Sequence, residues 1–186
     1  HTNPHSQRIT LPKHAYTTVL GDQLWVCSVA LVPRANPMQP AQKVQQVRMY
    51  NPLADDRPFN ALSRPMTLPL TKENGMGGVT SAAYVPQCPN QVFLGHESGH
   101  ISVWSTKDFA CTDVHRVGDQ PLVAMTGLYS MLWTATRSGQ ITLYKVDSPL
   151  WRAAKSWQAH REAVTALLFD PYGLDPLRGE LFVCSI

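Results

Sequence analysis

Two stretches of this chain repeat each other forty residues apart. Leu132-Trp133-Thr134-Ala135-Thr136-Arg137-Ser138-Gly139-Gln140-Ile141-Thr142-Leu143-Tyr144 follows the pattern of Val92 to Trp104: Phe93 answers to Trp133, Ser98-Gly99 to Ser138-Gly139, Ile101 to Ile141, Val103 to Leu143 and Trp104 to Tyr144. Each copy places an apolar run, a turn dipeptide and an alternating apolar run in succession, which is the pattern of a β-hairpin. A unit this short cannot bury its own faces. Copies at a period of this size therefore stack on one another, and the repeat restricts the chain to architectures built by stacking.

The same repeat decides how a second motif is read. Gly95-His96-Glu97-Ser98-Gly99-His100 contains HExxH, in which two histidines four residues apart on a helix grip a zinc ion and the Glu between them acts as general base. The motif needs the helix, and the flanking runs Val92 to Gly95 and Ile101 to Ser105 are strand-like, with Ser98-Gly99 as turn. Gly inside a helix costs about 1 kcal/mol relative to Ala. The copy at Thr136 to Gln140 keeps Ser-Gly and loses both histidines, so what recurs is the hairpin. No metal ligand, catalytic residue or cofactor-binding residue is assigned in this chain.

A period near forty with four short strands per unit is the mark of an all-β WD-repeat β-propeller, whose blades bury their faces against their neighbours. Val79 to Tyr84, Leu122 to Met125 and Val164 to Phe169 read as inner strands. Val92 to Gly95, Leu132 to Ala135 and Leu181 to Cys184 read as second strands, and Cys111 to Arg116 and Ala153 to Trp157 as fourth strands. An earlier unit runs through Tyr16 to Leu20, Gln23 to Val29 and Val44 to Tyr50. Its second and third strands are separated by a Pro-rich insertion at about residues 30–42, where Pro33, Pro37 and Pro40 lack the donors that a central strand needs. A second irregular connection spans about residues 51–78, and 11 of the 15 prolines fall at or before Pro89, which makes the first half the less regular one.

At about 40 to 45 residues per blade, the 186 residues supply a partial arc of about four blades of one propeller domain. The chain begins at His1, and Glu180 to Ile186 reads as a strand interrupted partway, so the expectation is an arc truncated at both ends. Such an arc would rely on the rest of its own chain to close and to cover its edge strands. The repeat consensus is degenerate. Ala159-His160 stands in place of Gly-His, Trp104-Ser105 and Tyr144-Lys145 in place of Trp-Asp, and Ser98 and Ser138 in place of the turn Asp, so the hydrogen-bond network such repeats share is expected to be incomplete. His160 reads as a residual structural histidine.

Charge is uneven. Lys145, Arg152, Lys155 and Arg161 stand against Asp147 within one window, and their balance equals the formal +3 of the whole chain. A solvated blade edge is one reading; a contact for lipid headgroups of an anionic membrane surface, phosphoinositides or an acidic protein partner is the other. No nucleic-acid-binding motif accompanies the window, and nucleic acid is not an expected partner. Cys27, Cys88, Cys111 and Cys184 form no C-x-x-C pair, and Cys27 and Cys184 read as small core residues, which fits a reducing, cytoplasmic setting. No apolar run approaches the roughly 18 residues of a membrane span, and no leader pattern opens the chain. Gly75-Met76-Gly77-Gly78 lacks the Lys and Ser/Thr of a phosphate-binding loop and reads as a flexible connection.

A closer resemblance lies in the succession GDQLWVC at Gly21 to Cys27, DDRPFNALSRPMT at Asp55 to Thr67, VTSAAYVP at Val79 to Pro86, VFLGHESGHISVWSTKDFAC at Val92 to Cys111 and LWTATRSGQITLYKVDSPLWRAAKSWQAH at Leu132 to His160. These blocks, above all Pro149, Trp151, Trp157, Ala159 and His160 at their spacing, resemble the WD-repeat region of fungal-type inositol polyphosphate 5-phosphatases. The resemblance implies a separate catalytic domain, dependent on Mg²⁺, beyond Ile186. The family's Gly-Asp-x-Asn-x-Arg and Pro-x-Trp-Cys-Asp-Arg stretches are missing from this sequence; Gly21-Asp22-Gln23 and Gly118-Asp119-Gln120 match only the first two letters of the former. It further implies a non-catalytic segment for interaction or targeting within an enzyme of phosphatidylinositol dephosphorylation, cytoplasmic and peripheral to membranes. The alternative is a freestanding WD-repeat scaffold for protein–protein interaction in trafficking or signalling.

Overall fold

The structure, a computed structural model, describes residues 10–32, 38, 42–51, 60–61, 66–69, 76–108, 110–169 and 183–185. They form strands and turns only, and among them no helix is long and apolar enough to cross a membrane. The chain separates into two units, His1–Gly78 and Val79–Ile186.

In the first unit β1 (Tyr16–Leu20), β2 (Gln23–Val32) and β3 (Gln42–Asn51) form an antiparallel meander. Gly21, at φ 59°, turns β1 into β2 in the left-handed region where a side chain is strained. Trp25, Val26, Cys27, Val47 and Met49 are its buried apolar residues, with Ser28 and Gln45 buried beside them. Burial pushes the Cys27 thiol up to about 12, so it is a neutral core residue, as the sequence suggests; the side chain of Cys184 lies outside the described residues. The two longer strands reach into both ends of the Pro-rich insertion, whose Pro33, Pro37 and Pro40 lie outside the described residues. Within the connection expected to be irregular, β4 (Asn60–Ala61) and β5 (Met66–Pro69) both pair with β3, against Tyr50–Asn51 and Val44–Val47 respectively. A fourth strand is thus present in two short pieces. β5 carries its proline at the terminal position, where a missing donor costs least.

The second unit holds two complete four-stranded blades. The first runs β6 (Val79–Tyr84), β7 (Gln91–His96), β8 (His100–Ser105) and β9 (Cys111–Arg116); the second runs β10 (Leu122–Leu128), β11 (Met131–Thr136), β12 (Gln140–Lys145) and β13 (Arg152–Gln158). β14 (Leu167–Phe169) and β15 (Val183–Ser185) pair in a further sheet. The expected inner strand from Val164 is shorter in the structure, because β14 extends only where β15 accompanies it.

The repeat extends to the irregularities. Each inner strand is bulged near its start, between Val79 and Ser81 and between Leu122 and Ala124. Each outer pairing slips at equivalent places, between Val103 and Trp104 and between Leu143 and Tyr144. In the first blade the bulge puts two hydroxyls on the neighbouring blade: Thr80 Oγ1 and Ser81 Oγ both donate to the Leu122 carbonyl, at 2.7 and 2.6 Å.

Packing follows strand parity. Leu132, Tyr144 and Val146 meet Ala83, Phe93, Ile101 and Val103 of the preceding blade, while Ala135, Ile141, Trp133 and Leu143 meet Val164 and Leu167 on the other side. Each fully buried apolar side chain of this kind contributes about 1.5–3 kcal/mol. The alternation expected for Ile101 to Ser105 gives way to burial of all four residues from Ile101 to Trp104. A strand covered on both faces has no solvent side, and Ser102 and Trp104 are accordingly buried with the rest.

Candidate functional site

The HESGH stretch is a hairpin: β7 ends on His96, β8 begins on His100, and Gly99 turns the chain at φ 72°. His96 is 0% exposed, its Nε2 lying 2.7 Å from Ser102 Oγ, and the Trp104 indole Nε1–H donates to the same hydroxyl at 2.8 Å. The Ser102 hydroxyl, one donor with two acceptor lone pairs, thus serves both the Trp104 indole and the His96 imidazole. His100 Nδ1 meets Ser98 Oγ at 2.9 Å. The two imidazoles of the motif are therefore engaged with different serines, and no group of three metal-binding side chains gathers among the described residues. These residues do not form the donor set that Zn²⁺ or Mg²⁺ would need. Purified protein is expected to hold less than about one tenth of a zinc per chain by elemental analysis, unchanged in His100→Ala; a closed site would need four ligands.

The consensus network expected to be incomplete is replaced by this His–Ser–Trp chain. At the equivalent positions of the next blade stand Thr136, Thr142 and Tyr144, and the bonds diverge. Thr136 Oγ1 meets Ser138 Oγ at 2.9 Å, Thr142 Oγ1 meets Ser156 Oγ at 2.8 Å, and Tyr144 Oη donates to the Val117 carbonyl at 3.4 Å. Both Ser-Gly turns share one further device. The Gly99 carbonyl accepts from the N–H groups of Val117 and Gly118, and the Gly139 carbonyl from those of Ala159 and His160, fastening the chain as it leaves the outer strand. His160 thus serves structure through its backbone.

The four cations separate into three and one. Lys145 and Arg152 are direct cross-strand partners, and Lys155 is opposite Leu143. Arg152 and Lys155 are three residues apart, a spacing that strict alternation would place on opposite faces. The slip at Ala153–Lys155 restores them to the same face, together with Trp157, over whose ring the Lys155 ammonium lies at 5.3 Å. All three are exposed, and no carboxylate among the described residues forms an ion pair with them. Arg161, also exposed, lies beyond the opposite end of β13 and is not part of this face. Lys145 and Arg152 also border a cavity of ≈ 410 Å³ with Asp147, Ser148 and Leu150. The sequence window grouped four charges by proximity along the chain; the bulge that selects three of them falls in Ala153-Ala154, where composition gives no sign of it.

Four-stranded antiparallel blades repeated at this period, with equivalent bulges and turn glycines, define a WD-repeat β-propeller. Two solved structures carry the same fold: a chain of a mitotic checkpoint complex (16% identity, TM-score 0.56, 82% of this chain and 39% of that one) and Saccharomyces cerevisiae Sqt1 (11%, 0.59, 87% and 42%). Among curated proteins, the chain is similar to a probable inositol polyphosphate 5-phosphatase of Schizosaccharomyces pombe, with 25% identity over 163 residues. That match takes in 86% of this chain and 12% of the length of that protein. No family model matches.

Proposed function

We propose that this chain is a non-catalytic propeller segment, for interaction and targeting, of an inositol polyphosphate 5-phosphatase, cytoplasmic and peripheral to membranes. The similarity to the fission-yeast protein supports the parent activity. In this reading phosphoester hydrolysis and its Mg²⁺ belong to another part of the parent. The observation that supports the targeting role is the bulge in β13, which brings the exposed side chains of Lys145, Arg152 and Lys155 to one face of the blade. Clustered cations attract surfaces of negative potential, each Lys or Arg near such a surface contributing about 1 kcal/mol, and salt weakens the effect.

Reversing those three charges in the full-length protein is therefore expected to lower binding to vesicles containing anionic phospholipid by roughly a hundredfold. Arg161→Glu, off the face, is expected to change it little, and turnover of a soluble inositol phosphate is expected to stay nearly unchanged in all variants. Unchanged vesicle binding would return the face to a solvated surface. Equal loss of soluble turnover would place the propeller within the catalytic machinery. A freestanding protein-binding scaffold is the second reading, favoured by the checkpoint neighbour having been solved within a complex. The presence of Gly-Asp-x-Asn-x-Arg and Pro-x-Trp-Cys-Asp-Arg elsewhere in the encoded protein separates the two.

A further inference from the structure

The turn after β6 and the turn between β12 and β13 belong to neighbouring blades. Between them, above β9, opens a cleft of ≈ 550 Å³, within the range of about 300–1,000 Å³ usual for ligand pockets. Its floor is aromatic. The His115 imidazole stacks on the Trp151 indole with centroids 3.9 Å apart and planes inclined by 17°. Trp151 in turn lies against Phe93 and Tyr144, at 5.7 and 6.2 Å, so the floor is held by the core between the two blades.

The walls are acidic. Asp113 comes from β9 and Asp147 from the β12–β13 turn, and none of the described residues lining the cleft is Lys or Arg. Asp113 Oδ2 is 3.0 Å from His115 Nε2 and its Oδ1 accepts from the Val114 N–H at 2.8 Å; with the side chain 56% exposed, lone pairs of the carboxylate remain open to a further donor. Burial, and secondarily the nearby Asp147 carboxylate, raise the Cys88 thiol of the same cleft above its ordinary range. Lys145 and Arg152 lie beyond Asp147, bordering the separate ≈ 410 Å³ cavity.

We propose that this interblade cleft receives a basic side chain of a partner protein, with Asp113 and Asp147 binding the cation over the His115–Trp151 floor. Arginine fits best, because its planar guanidinium can lie on an aromatic surface and donate in-plane to carboxylates. A polypeptide is the source for two reasons. An anionic bilayer is repelled by two carboxylates, and Leu150, 73% exposed on the turn that carries Asp147, offers apolar contact beside the cleft to a residue flanking the arginine. The inference does not depend on the phosphatase reading, since it uses neither the basic face nor the similarity to that enzyme.

The test uses the full-length protein and a fluorescent peptide with one arginine between two leucines, followed by anisotropy. Binding is expected to weaken at least about tenfold when citrulline replaces arginine, since the shape remains and the charge is lost. The variant Asp113→Asn with Asp147→Asn is expected to show the same loss. Ser148→Arg, which keeps both carboxylates and the core and brings a competing cation to the cleft, is expected to abolish binding, with unchanged melting as evidence of folding. No binding at millimolar peptide overturns the proposal, as does equal affinity for the citrulline peptide or indifference to all variants. Free arginine amide competing as well as the peptide overturns the assignment to a polypeptide, and loss of anionic-vesicle binding in the Asn variant would point instead to a membrane.

Discussion

Gly139→Ala is expected to lower stability by about 3 kcal/mol, read as a fall in melting temperature of roughly 10 °C. Two costs combine. Gly139 sits at φ 83°, where a side chain costs about 1–2 kcal/mol, and an added Cβ would collide with the carbonyl oxygens of His160 and Glu162, the latter 2.6 Å away. Neither oxygen can move freely. The carbonyl of Gly139 itself holds the N–H groups of Ala159 and His160, so displacement of one strand pulls on the other. The segment disturbed leads from β13 to the buried Val164 and Leu167, which seal one side of the second blade.

Two other glycines separate the terms. Gly21 has a positive φ of 59°, and a Cβ added there would meet nothing within 4 Å, so Gly21→Ala tests conformation alone, at about 1–2 kcal/mol. Gly118 has open space and no positive φ, and Gly118→Ala should be nearly neutral. If calorimetry finds Gly139→Ala no costlier than Gly21→Ala, the repeat glycines are turn-formers only and the fastening of outer strand to hairpin is of no consequence. Gly99, at φ 72° with the Gly118 backbone 2.6 Å from its Cβ position, is the same device in the preceding blade.

The hairpin, its turn and the forty-residue offset could be read from the chain because turn chemistry and alternation are local properties. Ser98-Gly99 and Ser138-Gly139 fix where the strands reverse, and Val92 to Trp104 shows its copy at Leu132 to Tyr144 without any knowledge of neighbours. What the blade faces bury is a non-local property. Ser102 and Trp104 share the face of β8 opposite Ile101 and Val103, a face that alternation alone would leave to solvent and that the structure buries. β4 and β5 lie in a stretch whose prolines mask the pairing, since a two-residue strand has no period to detect. Cleft residues fared similarly: Trp151 belongs to a recognisable Pro-x-Trp spacing, but nothing in Asp113-Val114-His115 announces that its histidine stacks on a tryptophan from the next blade. The spacing of Arg152 and Lys155 would have misplaced one of them, and only the bulge at Ala154 returns it.

Ser102→Ala is expected to cost about 2–4 kcal/mol although it removes a single oxygen. The volume lost is small, so a cavity cannot account for the effect; the polar groups do. Trp104 is 1% exposed and its indole N–H has Ser102 Oγ as acceptor, while His96 is 0% exposed with Nε2 turned to the same atom. Water cannot reach the Trp104 donor when the hydroxyl is gone, and an orphaned buried group costs about 1–3 kcal/mol. The equivalent change in the next blade, Thr142→Ala, should cost only about 1 kcal/mol, because Ser156, the partner of Thr142, lies on an exposed outer strand where water can take the bond. Hydrogen exchange over residues 91–105 reads the difference in the full-length protein, with opening expected to become roughly a hundredfold more frequent in Ser102→Ala. The double variant His96→Leu with Ser102→Ala completes the argument. If the three groups act as one network, the two changes together cost less than their sum, because the second removes a group the first had already stranded. Strict additivity would mean that His96 and Ser102 are independent core residues.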